Sequence, residues 1–319
     1  MTDWLHPERF PVLVCRPALP KDTPEVLELT RTIWEGEDYV PHVWPEWLAD
    51  PGGLLAVAEY GGRVAGLGKI TRLGADEWWL EGLRVHPELE GRGIASHLHD
   101  YLTGYWERCH SGVIRLATAS FRKPVQHLCE RSGFRKVSEY TSYAAPTLEP
   151  PPGDGSGPAF QLLQPGEAAE ALEFIEQSPQ LPGSAGLMDI GWQWVAPSLG
   201  HLEEAVRRSQ AWWWRRGRRR NQRERRALLV ANEDQEEGGE GLFLRLQLLA
   251  CPGEDLNTCL LDFRVLAGAS GYAKATWMAP LDPGLAMTLQ AAGFQREWDA
   301  SLYLYEKVHP TLKSRDVSP

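Results

Sequence analysis

Apolar and polar residues along the first 145 positions fall into short runs whose lengths and periods each predict one element. VLVCR (12–16) predicts a strand, and Asp22-Thr23-Pro24 then supplies a cap residue and a first-turn proline for a helix reaching about Trp34. The Pro- and Trp-rich stretch YVPHVWPEWLADP predicts one short helix. LLAVAEY (54–60) and RVAGLGKITRL (63–73) flank Gly61-Gly62, a turn that allows positive φ at both positions, so they read as a hairpin. EWWLEGLRV (77–85) is a third strand, followed by a helix from Gly93 to about Arg108. VIRLATA (113–119) is a buried strand, a helix spans about 124–132, and a pair of strands closes the half around 135–145.

Residues 146–158, PTLEPPPGDGSGP, carry no apolar period and read as a linker. They divide the chain into a first domain, 1–145, and a second, 159–319, in keeping with a length of 319 residues. The halves resemble each other. LCERSGFRKVSEYTSYA (128–144) aligns without gaps on TLQAAGFQREWDASLYL (288–304), matching Gly133-Phe134 to Gly293-Phe294, and each half opens with a strand, a polar turn and a helix. In the second half a helix-like run, 198–214, precedes the strands RALLVAN and GLFLRLQLLA, and the next loop, CPGEDLNT, holds a single glycine. The expected fold class is α/β, a mixed sheet with helices, built twice with the second copy degenerate.

Composition narrows the chemistry. Hydrophobic residues at 43% and charged residues at 24% are ordinary globular usage, and the formal charge of −10 argues against a general nucleic-acid binder. The segment 215–226 has eight arginines in twelve residues, but the acidic run EDQEEGGE (233–240) follows, so a solvated or internally paired surface is expected rather than a nucleic-acid site. Five scattered cysteines without CxxC spacing give neither a disulfide framework nor a zinc site, and fit a reducing cytoplasm. His97 and His99 cannot share a metal as an i, i+4 pair would, so no metal is expected. No run approaches a membrane span, and the sequence is silent on oligomeric state.

The informative segment is WLEGLRVHPELEGRGIASHLHDYL. Gly91, Gly93 and small Ala95 stand where a strand turns into a helix, so that bare backbone N–H groups and the positive end of the helix converge on an anion, ideally a pyrophosphate. The Walker lysine and the three-glycine Rossmann spacing are both absent. Glu90-Gly91-Arg92-Gly93-Ile94-Ala95 resembles the Q/R-x-x-G-x-G/A pyrophosphate loop of the GCN5-related N-acetyltransferases (GNAT), which use acetyl-CoA as cosubstrate. The preceding Leu83-Arg84-Val85-His86-Pro87 and the closing Ser132-Gly133-Phe134 are similar to that family in the same order, over about residues 12–145.

The resemblance implies that backbone N–H groups of Gly91, Arg92, Gly93, Ile94, Ala95 and Ser96 hold the CoA pyrophosphate, and that backbone at Leu83, Arg84 and Val85 pairs with the pantetheine arm. It implies a general base at Glu81, two residues before Leu83 and so on the same face of a regular strand, and a general acid at Cys129, where the family often has tyrosine. Glu90 departs from the usual Gln or Arg, and Arg92 offers a compensating charge. Asp38-Tyr39, Pro41 and Trp47-Leu48-Ala49-Asp50-Pro51 are most similar to the histidine N-acetyltransferase group. In this fold the loop after the first helix lines the acceptor site, where Asp38 or Glu37 would hold a cation and Trp34, Tyr39 and Trp44 would form an aromatic wall. The implied activity is direct acetyl transfer in a ternary complex to a small amine or free amino acid, histidine first. The alternatives are a non-catalytic acyl-CoA sensor or scaffold and an enzyme for polyamine- or aminoglycoside-type amines.

Overall fold

A computed structural model describes residues 12–31, 33–150, 159–179, 181, 183–216, 224–235 and 241–313. Most of the expected linker, 151–158, lies outside the described residues. The chain forms two compact units that do not follow its linear order. The first takes residues from 1–116, 124–135 and 306–319, and the second takes 117–123 and 136–305.

The first unit contains β1 (Leu13–Pro17), α1 (Thr23–Thr30), α2 (Val40–Ala49), β2 (Leu54–Tyr60), β3 (Arg63–Arg72), β4 (Glu77–Val85), α3 (Ile94–Cys109), most of β5 (Val113–Ala119) and most of α4 (Lys123–Arg131). Its sheet runs β1-β2-β3-β4-β5, antiparallel except for β4 and β5, which α3 joins as a crossover and which are therefore parallel. Val26 and Leu29 of α1 and Trp44 and Trp47 of α2 cluster with Leu55, Val57 and Leu67 of the sheet. Leu98, Leu102 and Trp106 of α3 are also fully buried. Helix α1 ends at Thr30, short of the expected Trp34, because Trp34, Glu35 and Gly36 take positive φ and no right-handed helix runs through them.

The strand pair expected at 135–145 is one continuous strand, β6 (Arg135–Pro146), and from Lys136 onward it belongs to the second unit. That unit continues with β7 (Phe160–Leu162), α5 (Ala168–Gln177), β8 (Met188–Asp189), β9 (Trp194–Val195), α6 (Leu199–Arg207), β10 (Ala211–Arg216), β11 (Glu224–Gln235) and β12 (Leu242–Ala250). It closes with α7 (Gly253–Ala269), β13 (Lys274–Pro280), α8 (Pro283–Ala291), β14 (Gln295–Arg296) and β15 (Leu302–Val308). Its strand order is β15-β6-β13-β12-β11-β10-β7, with β14 also on β6. The helix-like run 198–214 is a helix and a strand: Ser209 at φ 58 breaks α6, and the bulky Trp212-Trp213-Trp214 enter β10.

The arginine-rich segment spans the pairing of β10 with β11, with 217–223 outside the described residues. Three of its described arginines pair with acids other than the expected neighbouring run: Arg216 with Asp255, Arg225 with Glu167 and Glu170, and Arg226 with Glu254 and Asp255. From that run, Asp234 pairs with Arg245, and 236–240 lie outside the described residues.

From Glu306 the chain returns to the first unit. Arg115 of β5 is paired with Glu77 and, at 2.7 Å, with Glu306, and the His309 amide donates to the Gly112 carbonyl at 2.9 Å. A short helix, α9 (Pro310–Lys313), ends the described chain.

Within α3, His99 is 1% exposed, with its Nε2 2.7 Å from the Ser132 hydroxyl, and burial holds its pKa down to about 4. An unfolded histidine titrates near 6.5, so between those values the unfolded chain takes up the proton that the folded chain refuses. The neutral ring's contribution is complete above about pH 6.5 and is lost as pH falls toward 4, by up to ~3 kcal/mol. Denaturant midpoints measured from neutral to mildly acidic pH should fall, and His99→Gln should flatten that fall.

Candidate active site

Strand β4 is irregular where it matters. Lys69 of β3 pairs with Glu81 of β4, and Leu67 pairs with Arg84, so three steps on β4 oppose two on β3. Gly82 makes this bulge possible: it sits at φ 66, with the Trp47 ring 2.5 Å from where a β-carbon would stand. The alternation expected to put Glu81 and Leu83 on one face is interrupted there. Glu81 is half-buried and accepts a hydrogen bond from the Thr71 hydroxyl of β3.

Around Glu81 the acceptor-loop residues converge. Asp38, just before α2, is buried, and its two oxygens accept from Arg84 Nε at 2.9 Å and Nη2 at 3.0 Å. The Arg84 guanidinium carbon lies 4.3 Å from the centre of the Trp34 ring and 5.3 Å from that of Tyr39. Tyr39 meets Trp47 edge-on at 6.1 Å. Burial raises the Tyr39 phenol above its ordinary value, Arg84 pulls it down, and Glu81 and Asp38 push it up. The far end of α2 is pinned as well: Asp50 pairs with fully buried Lys69, the register partner of Glu81. Of the residues expected to line this site, Trp34, Asp38, Tyr39, Glu81 and Arg84 come together. Trp44 instead sits in the core, its indole N–H 3.0 Å from the Thr23 hydroxyl, and Glu37 is exposed.

The glycine loop leaves β4 at Val85, makes a short 3-10 turn at Pro87–Leu89 and enters α3 at Ile94. Gly91 and Gly93 take φ 75 and 80, which glycine adopts without strain, and a β-carbon on Gly91 would meet nothing within 4 Å. The space over the loop is open. The first-turn N–H groups of α3, Ile94 to Ser96, have no intrahelical acceptors and lie at the positive end of the helix. Such a cradle fits a pyrophosphate. Glu90 is exposed, and Arg92 Nη1 reaches the Tyr60 hydroxyl at 3.4 Å. Strands β4 and β5 pair over Glu77–Trp79 and Val113–Arg115, short of Leu83 to Val85, whose edge is placed to take an extended ligand.

Cys129 fits its expected role poorly. It is fully buried in α4, and desolvation pushes its thiol up to about 12. That makes it a weaker acid than the thiol whose thiolate it would protonate. Sequence reasoning missed the side chain of Arg84, as well as Thr71 and the Lys69–Asp50 pair. The available signal was a charged residue inside an otherwise apolar strand, at Lys69 and again at Arg84.

Residues 23–134 match the acetyltransferase (GNAT) family model. The chain carries a GNAT domain. It is 35% identical over 97 residues to the human protein named probable N-acetyltransferase 16, covering 30% of this chain and 26% of that one. It is 33% identical over 82 residues to a histidine N-acetyltransferase of Oreochromis niloticus, covering 25% and 24%. These matches span only about a quarter of each relative's length. A GCN5-related N-acetyltransferase of Sphaerobacter thermophilus superposes with a TM-score of 0.61 at 15% identity, over 93% of this chain and 95% of that one. A tandem GNAT protein from the clavulanic acid biosynthesis pathway gives 0.55 at 13% identity, over 93% and 98%. The fold is a tandem GNAT fold.

Because Gly82 has both a left-handed backbone and the Trp47 ring against it, Gly82→Ala should destabilise the protein by about 1–3 kcal/mol. Thermal unfolding followed by circular dichroism checks this.

Proposed function

We propose that the GNAT domain is an N-acetyltransferase that moves an acetyl group from acetyl-CoA directly to the nitrogen of a small amine or free amino acid. The observation that carries this reading is the continuity of one segment. Strand β4 brings Glu81 to the bulge, offers its edge at Leu83–Val85 and runs into the Gly91–Ser96 cradle, so positions for base, thioester and pyrophosphate lie along a single stretch of chain. Acetyl-CoA supplies the acyl thioester.

An ammonium has no lone pair for attack, so Glu81, held by Thr71, takes a proton from the acceptor nitrogen. Trp34 and Tyr39 wall the acceptor. Asp38 is committed to Arg84, so it positions that guanidinium beside the two rings rather than binding an ammonium of its own. Arg84 in turn favours an acceptor bearing a carboxylate over a polycation. Relatives that carry the name histidine N-acetyltransferase make histidine the first acceptor to test. We assign Cys129 to packing, and with all five cysteines free we place the reaction in the reducing cytoplasm.

Release of CoA thiol in the presence of each amino acid, polyamine and aminoglycoside tests the activity, and calorimetry with CoA tests the cradle. Binding without turnover on any amine would instead identify a sensor. Glu81→Gln should lower kcat/KM by about 10²–10⁴-fold at neutral pH while leaving acetyl-CoA binding unchanged. The deficit should narrow as pH approaches the acceptor's own pKa, where the base is no longer needed. An unchanged kcat/KM would remove Glu81 from the role, and Cys129→Ala should have no effect.

A further inference from the structure

The second unit repeats the strand–helix–strand core of the first with one deletion. Residues 86–93 lie between β4 and α3, whereas Cys251 and Pro252 alone lie between β12 and α7. The glycine cradle has no counterpart there. Where its anion would sit, the first turn of α7 carries Asp255, fully buried and paired with Arg216 and Arg226. An internal carboxylate already meets those guanidinium groups, so a CoA pyrophosphate has neither loop nor free charge to bind.

The cleft beside the missing loop has nonetheless stayed open. Strands β12 and β13 pair in parallel from Phe243–Lys274 to Leu246–Trp277, and beyond that point Gln247 to Ala250 of β12 and Met278 and Pro280 of β13 line a cavity of about 260 Å³. Counted from the first parallel pair of each unit, Gln247 holds the place of Glu81: each stands four residues on, from Phe243 and from Glu77. An amide, which cannot act as a base, replaces the carboxylate. The Gln247 side chain has no hydrogen-bond partner among the described residues. Tyr140 and Trp194, with ring centres 4.8 Å apart, and Trp277 give the cavity aromatic walls. Among the described residues no lysine, arginine or histidine lines it. Of its two acids, Asp189 is buried and paired with Arg245 at 2.5 Å, while Glu176 is exposed.

We infer that this cavity is a second, non-catalytic ligand site that takes a small aromatic amine without CoA. The ring packs among Tyr140, Trp194 and Trp277, Gln247 hydrogen-bonds the ligand's polar edge, and Glu176 faces its ammonium. Anions are disfavoured because no described cation lines the walls to meet them.

The side chain of Met278 is a reporter inside the cavity, and the chain has only four methionines. Full-length protein labelled with methyl-¹³C methionine, its Met278 signal assigned through Met278→Leu, is titrated with tryptamine, indole-3-acetate and CoA. Tryptamine should shift the Met278 methyl saturably with a dissociation constant below about 1 mM, within reach of a ligand this small. Indole-3-acetate and CoA should leave it in place. Gln247→Leu should weaken the tryptamine response by about tenfold, the worth of one buried hydrogen bond, without changing acetyl transfer. Ala196→Trp, which fills an exposed lining position and so spares the core, should abolish it. No response to tryptamine, or an equal response to indole-3-acetate, would overturn the assignment, whatever the first unit is found to catalyse.

Discussion

Between Glu81 and Arg84, β4 carries one residue more than β3, and that surplus is absorbed where the backbone takes a left-handed turn without a side chain. Gly82 supplies the turn, and its bare face admits the Trp47 ring against the strand. Trp47 in turn meets Tyr39 edge-on, and Tyr39 lies beside Arg84, which is covered by Trp34. The acceptor segment is therefore referenced to the same bulge that sets Glu81. A single backbone irregularity couples the position of the proposed base to the position of the aromatic wall.

Two buried ion pairs fix that arrangement. Asp38 precedes α2 and binds Arg84 of β4, while Asp50 follows α2 and binds Lys69 of β3. Such pairs add little net stability, because desolvation cancels most of the Coulombic gain, but removing one partner costs about 3–5 kcal/mol by stranding the other charge. Their effect is geometric. A helix of ten residues, held at both ends by charges paired in an apolar surround, cannot slide along the sheet. The loop from Trp34 to Gly36, strained by two non-glycine residues at positive φ, persists because its flanks are held in this way.

The strands, the hairpin at Gly61-Gly62 and the glycine loop are legible in the sequence because each depends on local chemistry: alternation, turn residues, bare backbone. The bulge is not legible, since the extra residue is defined only by what β3 places opposite it. Asp38 reads as a site residue with an ammonium to bind, because its actual partner lies 46 positions away on β4. The run Trp212-Trp213-Trp214 extends an apparent helical period, and only the positive φ of Ser209 ends it. Cys129 stands at the motif's position with the wrong surroundings, since burial is set by the packing of α4 and no neighbour in sequence reveals it.

The two copies show what separates a CoA site from a cleft. Both keep parallel strands that pair at one end and part at the other, since that geometry follows from a crossover helix joining twisted strands. Only the first keeps the residues that turn the helix terminus into an anion cradle. In the second, the loop of residues 86–93 is reduced to Cys251 and Pro252, and the positive charge of Arg216 and Arg226 is met by Asp255 and Glu254 from the helix itself. Losing the loop without this carboxylate would have left two guanidinium groups at the positive end of a helix, each raising the cost of the other. Loss of nucleotide binding and gain of the internal acid are thus one electrostatic change, and it leaves the cleft's shape untouched.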